Sequence, residues 1–421
     1  MRLLHFSDLH LGVDNYGVPD SRTGLTSRVG DFLKVFDVII DRAIEGQYDA
    51  VIFSGDAFKN RDPSPTLQRE FARRIVRLAA GGIPIVILIG NHDLPNVITR
   101  ATPVEIYQIL EIPGVHVSRD IETVRIETKS GPLQIVALPW ITRSLLLSRP
   151  EYRELGDIDF EREMASLISQ AVHGEAAQLD PNLPAVLVAH VSLQGASLGF
   201  EQSIMLGRDV TVGLDDLRAG GFDYVALGHI HKHQALGVRP PAVYAGSPER
   251  IDFGEEHEAK GYVDVRIDIG AEGRRETSWT FQELPARRFL TLRLDARGDD
   301  PQAAAKRELQ RRLDDVRDAI VRCFIDVDPG RERAVATPEI RRTLLEAGAA
   351  YVSHVIVESE TVSRIKQMLG EEHARDSSRM LGLWLEGRKY DETLRQRILD
   401  RGNDIIQRRT LETGGGTERH G

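Results

Sequence analysis

Asp8 and His10 stand two residues apart in Asp-Leu-His, directly behind an apolar run. Asp56 closes Ser-Gly-Asp behind a second such run, and Asn91, His92 and Asp93 follow a third in Gly-Asn-His-Asp. His190 follows a fourth, and His229 and His231 follow a fifth in Gly-His-Ile-His. The set holds no thiolate, and its nitrogen and oxygen donors suit divalent ions such as Mn²⁺, Fe²⁺ or Zn²⁺. Asp8, His10, Asp56, Asn91, His190, His229 and His231 are too many for one tetrahedral site. They suit two ions with positions left for water and substrate, and one carboxylate must then bridge. Asp56 is the natural choice. Two ions roughly 3.5–4 Å apart can clamp an in-line displacement at phosphorus.

His92 differs from its neighbours. Asn91 beside it is the better ligand, which leaves His92 to face a substrate phosphate, where an imidazolium protonates a leaving oxygen or steadies developing charge. The alternative is that His92 orients a ligand from behind, a duty for which Asp93 is the better candidate. Gly55, Gly90 and Gly228 each immediately precede one of these residues, where a side chain would crowd an ion. Any one motif alone is weak, since a single histidine behind a strand is usually structural. Five in order, all at strand ends, are a different matter.

The positioning elements read as short buried strands alternating with amphipathic helices. Strands are expected at Arg2–Phe6, Ala50–Ser54, Ile85–Ile89, Gln134–Leu138, Ala185–Ala189 and Tyr224–Leu227, bounded by Gly, Pro, Asp or Asn. Phe32, Phe36, Ile39, Ile40 and Ala43 fall on one stripe of a helix predicted from about Val29 to Gln47. Phe71, Ile75 and Leu78 do the same over Arg69–Leu78. This alternation predicts an α/β layered domain, whose ligands gather beyond the carboxyl ends of parallel strands. Ala242–Tyr244 and Gly261–Ile269 would extend or face the first sheet. After a shift near Gln282–Pro285, strands at Leu290–Leu294, Ile320–Asp326 and Tyr351–Val357 alternate with helices at Pro301–Val316 and Glu339–Ala347, a small appended α+β domain. Beyond a break at Gly370–Ser378, Arg379–Glu386 and Glu392–Arg408 read as short helices carrying Met380, Leu381, Trp384 and Leu385. Such helices need something to pack on, this chain's core or a partner. The expected domains are thus 1–282, 283–370, 371–413 and a disordered tail at 414–421.

The 421 residues, 41% hydrophobic and 28% charged, are those of a globular protein with two or three domains. Cys323 is the sole cysteine, so no internal disulfide forms, which fits a reducing cytoplasm. The longest apolar run, around Ile83–Ile89, is far short of the roughly 20 residues of a membrane span. Ser7, Asp8 and His10 interrupt the N-terminal apolar stretch, against a signal peptide. A net charge of −10 argues against a surface that binds polyanions all over, while leaving room for a local basic patch.

The ordered motifs resemble those of the calcineurin-like metallophosphoesterases, over about residues 1–270. The resemblance implies a layered β-sandwich flanked by helices. It also implies one ion on Asp8, His10, Asp56 and His231, and another on Asp56, Asn91, His190 and His229. The stretch from Phe222 to His231, Phe-Asp-Tyr-Val-Ala-Leu-Gly-His-Ile-His, with Tyr244 to Phe253, Tyr-Ala-Gly-Ser-Pro-Glu-Arg-Ile-Asp-Phe, looks like SbcD nuclease subunits. These are bacterial relatives of the eukaryotic double-strand-break repair nuclease. That likeness implies a Mn²⁺-dependent DNA nuclease of recombination and repair, a 3′–5′ exonuclease on duplex ends and an endonuclease on single strands or hairpins. The appended domain would cap DNA, and the terminal helices would bind an SbcC-type coiled-coil ATPase. Helices near Pro65–Leu78 and Asn96–Leu110 would form a homodimer, and two ATPase subunits would complete a heterotetramer. Arg287, Arg288, Lys306, Arg307, Arg311 and Arg312 could meet phosphates or solvent alike. The competing readings are a phosphomonoesterase or nucleotide phosphodiesterase with the same metal site, and a non-catalytic scaffold.

Overall fold

Hydrophobic residues that run unbroken along short strands, and repeat at helical spacing between them, build the four layers of the N-terminal unit. The structure is a computed structural model that describes residues 1–95, 100–142, 156–197, 210–218, 220–270, 274–359, 385 and 394–402. It divides into two compact units, with the division after Phe289. Leu284 packs into the core of the first unit, and Arg287 is tied to Asp31 and Glu249. These attachments carry the first unit past the composition shift near residue 282.

In the first unit β1 (Arg2–Phe6), β2 (Ala50–Phe53), β3 (Ile85–Leu88) and β4 (Val115–Ser118) run parallel in that order. A second sheet follows from β5 (Glu122–Thr128), β6 (Gly131–Leu138), β7 (Ala185–His190), β8 (Tyr224–Gly228), β9 (Gln234–Leu236) and β10 (Ala242–Tyr244). Its parallel centre is β6, β7, β8 and β10, with antiparallel β5 and β9 at the edges. The chain then returns to the first sheet with the hairpin β11 (Gly261–Ile269) and β12 (Arg275–Glu283), placing β11 antiparallel to β1. Ala242–Tyr244 therefore joins the second sheet and Gly261–Ile269 the first.

The period-two pattern decides what each face meets. Leu4, Phe6, Val51 and Phe53 face α1 (Ser27–Glu45) and α2 (Pro65–Ala80), whose Phe36 and Phe71 rings lie 5.5 Å apart. Leu3, Ile52, Val86 and Leu88 point the other way and meet Ile135, Val186, Val188 and Ala226 of the second sheet. That sheet's outer face is covered by α3 (Asp157–Ala176) through Phe160, Met164 and Ile168. Each fully buried Leu, Ile or Phe contributes about 1.5–3 kcal/mol, so stacking the two sheets is strongly driven. The Thr26 hydroxyl accepts from the Val29 N–H and the Ser64 hydroxyl from the Leu67 N–H. These caps start α1 and α2 earlier than hydrophobic spacing alone indicates.

In the second unit β13 (Phe289–Asp295, its first residue still in the first unit), β14 (Ile320–Val327) and β15 (Tyr351–Ser359) form a sheet in that order. α4 (Pro301–Gln310) and α5 (Thr337–Glu346) share its core. Cys323 lies in that core, where burial pushes its thiol up to about 12. Several of the basic residues are engaged: Lys306 pairs with Glu339, Arg311 with Glu308 and Arg312 with Asp315. Of the expected C-terminal helices only Leu385 and residues 394–402 are described, and these are helical. The break at 370–378 and the tail at 414–421 lie outside the described residues, as do residues 96–99. Among the described residues no helix is long and apolar enough to cross a membrane.

Between the sheets lies one polar side chain from the first strand. The His5 ring meets the Tyr224 hydroxyl at 3.0 Å and the Ser54 hydroxyl at 2.9 Å, all fully buried. Burial pushes the imidazole down to about 3, so His5 is neutral in the fold while an unfolded histidine titrates near 6.5. Its contribution to stability is complete above pH 6.5 and is lost as pH falls toward 3, by about 1.4 kcal/mol per unit. Denaturation of His5→Asn at several pH values should show a weaker protein at pH 8 with a shallower slope between pH 6.5 and 4.5. Parallel slopes for variant and parent would contradict this.

Candidate metal centre

The parallel strands of both sheets end at one rim, so the rim belongs to two sheets rather than one. β1, β2 and β3 deliver Asp8 with His10, Asp56, and Asn91 with His92 and Asp93; β7 and β8 deliver His190, and His229 with His231. The loops behind β1 and β2 are tied together, the Asp8 N–H donating to Gly55 O at 2.9 Å and the His10 N–H to Asp56 O at 3.0 Å.

The backbone is strained where the donors sit. Asp8, His10, Asp56 and His229 all have positive φ, at 52°, 45°, 60° and 98°. Such conformations cost about 1–3 kcal/mol each for residues with a Cβ, and persist only where surrounding contacts impose them. Asp93 supplies much of that constraint. Its buried carboxylate accepts from the N–H groups of Asp56 at 2.9 Å, Ala57 at 3.0 Å, Gly90 at 3.1 Å and Phe58 at 3.4 Å. Gly90 is required by contact, because a Cβ there would overlap the Asp56 carboxylate.

The donor atoms converge. Asn91 Oδ1 lies 3.0 Å from both His190 Nε2 and His229 Nδ1. His10 Nε2 and His231 Nε2 face each other at 2.9 Å. The Asp56 carboxylate lies between these groups, 3.4 Å from His190 Nε2 and 3.7 Å from His10 Nε2. Ligand atoms of Asp8, His10 and His231, and those of Asp8, Asp56 and His190, gather within 4.8 Å of one another. His10, Asp56 and His92 form a third such group. All seven sequence-identified donors are thus brought together; Asp8 is common to the first two groups, and Asp56 lies between the imidazoles of His10 and His190.

Other polar contacts fix the rings. His190 Nδ1 bonds Ser54 O at 2.7 Å, leaving Nε2 toward the centre. His92 Nδ1 bonds Lys59 O at 2.9 Å, and the His92 backbone N–H donates to Asp56 Oδ1 at 2.8 Å. The His92 ring is exposed, beside His10 with ring centres 4.8 Å apart.

Charge accounts for the titration of this buried group. Burial pushes the Asp8 carboxyl up, and burial beside Asp56 takes Asp93 to about 7. Burial alone would raise Asp56 too, but His190 and the other imidazoles hold it below the ordinary carboxylate range. Burial would lower His190, and the Asp56 charge instead raises it to about 9. Burial holds His10 well below its usual value, ready to present a lone pair. Buried carboxylates facing imidazole nitrogens and an amide oxygen fit a pair of divalent cations, and cation binding displaces the protons those groups hold.

Residues 1–233 match the calcineurin-like phosphoesterase family. The chain belongs to that family. It is 29% identical over 276 residues to the SbcD component of the nuclease SbcCD from Escherichia coli K12, covering 63% of this chain and 64% of that protein. The SbcD component from Bacillus subtilis 168 is 27% identical, covering 66% and 68%. The DNA double-strand break repair protein Mre11 of Methanosarcina acetivorans is 26% identical over 380 residues, covering 89% of this chain and 52% of that protein. The chain spans about 64% of the length of the Escherichia coli relative.

Two parts of this calcineurin-like site escape a reading by motif. Glu255 is one: its Oε1 holds His231 Nδ1 at 2.9 Å, and its Oε2 meets buried Lys260 Nζ at 2.9 Å. Lys260 also donates to the His231 carbonyl at 3.2 Å and to the Ser247 hydroxyl at 2.9 Å. Lys260 pulls Glu255 down to about 2 against the effect of burial, so Glu255 stays charged behind His231. Trp140 is the other, its ring centre 4.7 Å from that of His229. The signal for Trp140 was available, since every other strand named for this rim delivers a functional side chain just past its end. Glu255 left no such signal, because its place is set by a short 3-10 turn, Phe253–Glu255.

Gly90→Ala should keep the fold and lower Mn²⁺ affinity by about 10- to 100-fold, the usual cost of disturbing the surroundings of a ligand. Titration calorimetry with a melting curve checks this. Unchanged affinity at unchanged stoichiometry would contradict the contact argument.

Proposed function

We propose that the chain is the nuclease subunit of an SbcCD-type complex, hydrolysing phosphodiester bonds of DNA with two divalent ions, Mn²⁺ foremost. The observation that carries the proposal is the convergence of Asp8, His10, Asp56, Asn91, His190, His229 and His231 on one rim. The relatives point the same way, since they are named as part of a nuclease and as a DNA double-strand break repair protein. Asp8, His10, Asp56 and His231 would hold one ion, and Asp56, Asn91, His190 and His229 the other. Bound there, the ions would supply Lewis-acid stabilisation and an activated water.

The chain's own residues do the rest. Water adds to phosphorus as the ester oxygen departs, giving a phosphomonoester and an alcohol. His92 Nδ1 is committed to the Lys59 carbonyl, so the exposed Nε2 is the atom that carries a proton to the leaving oxygen. The hydrogen bond from the His92 backbone N–H to Asp56 Oδ1 sets His92 beside the carboxylate that would be shared by both ions. Asp93 keeps Asp56 in place from behind, and Glu255 does so for His231.

The wider reading extends what the motif resemblance implies: 3′–5′ exonuclease action on duplex ends, endonuclease action on single strands and hairpins, and a second unit that caps the DNA. The site would work in the cytoplasm, in a heterotetramer with two SbcC-type ATPase subunits held by residues 371–413, most of which lie outside the described residues. Homodimer formation is supported by apolar side chains left in water. Ile106 and Ile109 of the short helix Ile106–Ile109, Leu110 just behind it and Val76 of α2 are 49–81% exposed, and Tyr107 of that helix packs against Phe71 of α2.

The testing experiment is a Mn²⁺-dependent assay on end-labelled hairpin DNA beside a chromogenic phosphomonoester. Cleavage of DNA with negligible monoester turnover is expected, and the reverse preference would make the chain a phosphomonoesterase. His92→Gln should lower kcat on DNA by about 10²- to 10⁴-fold with Mn²⁺ binding unchanged. Loss of an ion in that variant would make His92 a ligand instead. Removal of everything after Arg375 should leave Mn²⁺-dependent cleavage intact and abolish ATPase association in pull-down, and retained association would place the docking element elsewhere.

A further inference from the structure

Trp140 stands just past the end of β6, next to the strands that deliver His190 and His229. Its backbone N–H donates to Ile89 O at 3.1 Å, fixing it to the end of β3 beside Gly90 and Asn91. The indole leans on His229 at 35°, ring centres 4.7 Å apart, and meets His190 edge-on at 6.2 Å. It is half-buried. A tryptophan placed only to fill space beside buried ligands would be covered. This one is only partly covered, at the edge of the donor cluster.

The two flanks of the cluster differ in chemistry. At the His10 end lies exposed His92, a proton carrier. At the His229 end lies Trp140, a flat apolar surface. A phosphodiester bound across Asp56 with its leaving oxygen toward His92 directs its other ester group to the Trp140 flank. We infer that Trp140 is a stacking platform for the nucleobase on the phosphate side of the cut, and so a specificity-determining residue for nucleoside over simple diesters. The inference rests on the phosphodiesterase reading above and adds to it which half of the substrate is held by its base. Base–aromatic stacking tolerates any base, since every base has a π face, so the platform supports cleavage without sequence preference.

The test compares thymidine 5′-(p-nitrophenyl phosphate) with methyl p-nitrophenyl phosphate, which share a leaving group and differ in the nucleoside. It uses the full chain loaded with Mn²⁺. Trp140→Ala should lower kcat/KM on the thymidine diester about tenfold or more, the worth of one stacked base. The loss on the methyl diester should be several-fold smaller than that on the thymidine diester, and Trp140→Phe should recover most of the thymidine activity. Calorimetric Mn²⁺ binding should be unchanged in both variants. Equal loss on both diesters, weakened Mn²⁺ binding, or no loss on either would overturn the platform and make Trp140 a support for His229 or a bystander. A parent protein that cleaves neither diester would overturn the phosphodiesterase reading itself.

Discussion

One buried carboxylate ties the ends of two strands together, and the geometry of the site follows from it. Asp93 draws the N–H groups of Asp56, Ala57, Phe58 and Gly90 onto its two oxygens. A buried carboxyl without those donors would be expensive, and those donors without an acceptor would be orphaned. Each therefore fixes the other. The outcome is that Asp56 is held in a left-handed conformation with its carboxylate against Gly90, between the imidazoles of His10 and His190.

The rest of the fold brings further donors to that point. Stacking two sheets, each with a parallel centre, superposes their carboxyl ends, so histidines of β7 and β8 meet aspartates placed by β1 and β2. The apolar layer between the sheets supplies the driving force, and it extends up to the site itself. Ser54 shows the continuity: its hydroxyl meets the buried His5 ring, and its carbonyl accepts the His190 Nδ1. Hydrophobic packing thus pays for strained backbone and for a crowd of like-charged and proton-accepting groups that a pair of cations would neutralise.

The strands that bear site residues were legible in the sequence because each is buried on both faces and reads as an apolar run ending in a polar motif. The ligand candidates were legible for the same reason. Arg275–Glu283 was not, since it is an edge strand of alternating exposure rich in polar residues. Asp157–Ala176 was also missed, its apolar positions being diluted by charge. Membership of two sheets was equally hidden, because residues at the ends of parallel strands look alike in sequence whichever sheet holds them. Glu255 and Lys260 act through pairings made only by the fold, and no spacing announces them. The first unit runs on to Phe289 because Arg287 reaches back to α1, a contact that composition does not record.

The most direct test of the central claim is anomalous diffraction from crystals soaked with Mn²⁺. Two peaks roughly 3.5–4 Å apart, with Asp56 touching both, are predicted. A single peak, or peaks remote from Asp56, would contradict a paired-cation centre at this rim.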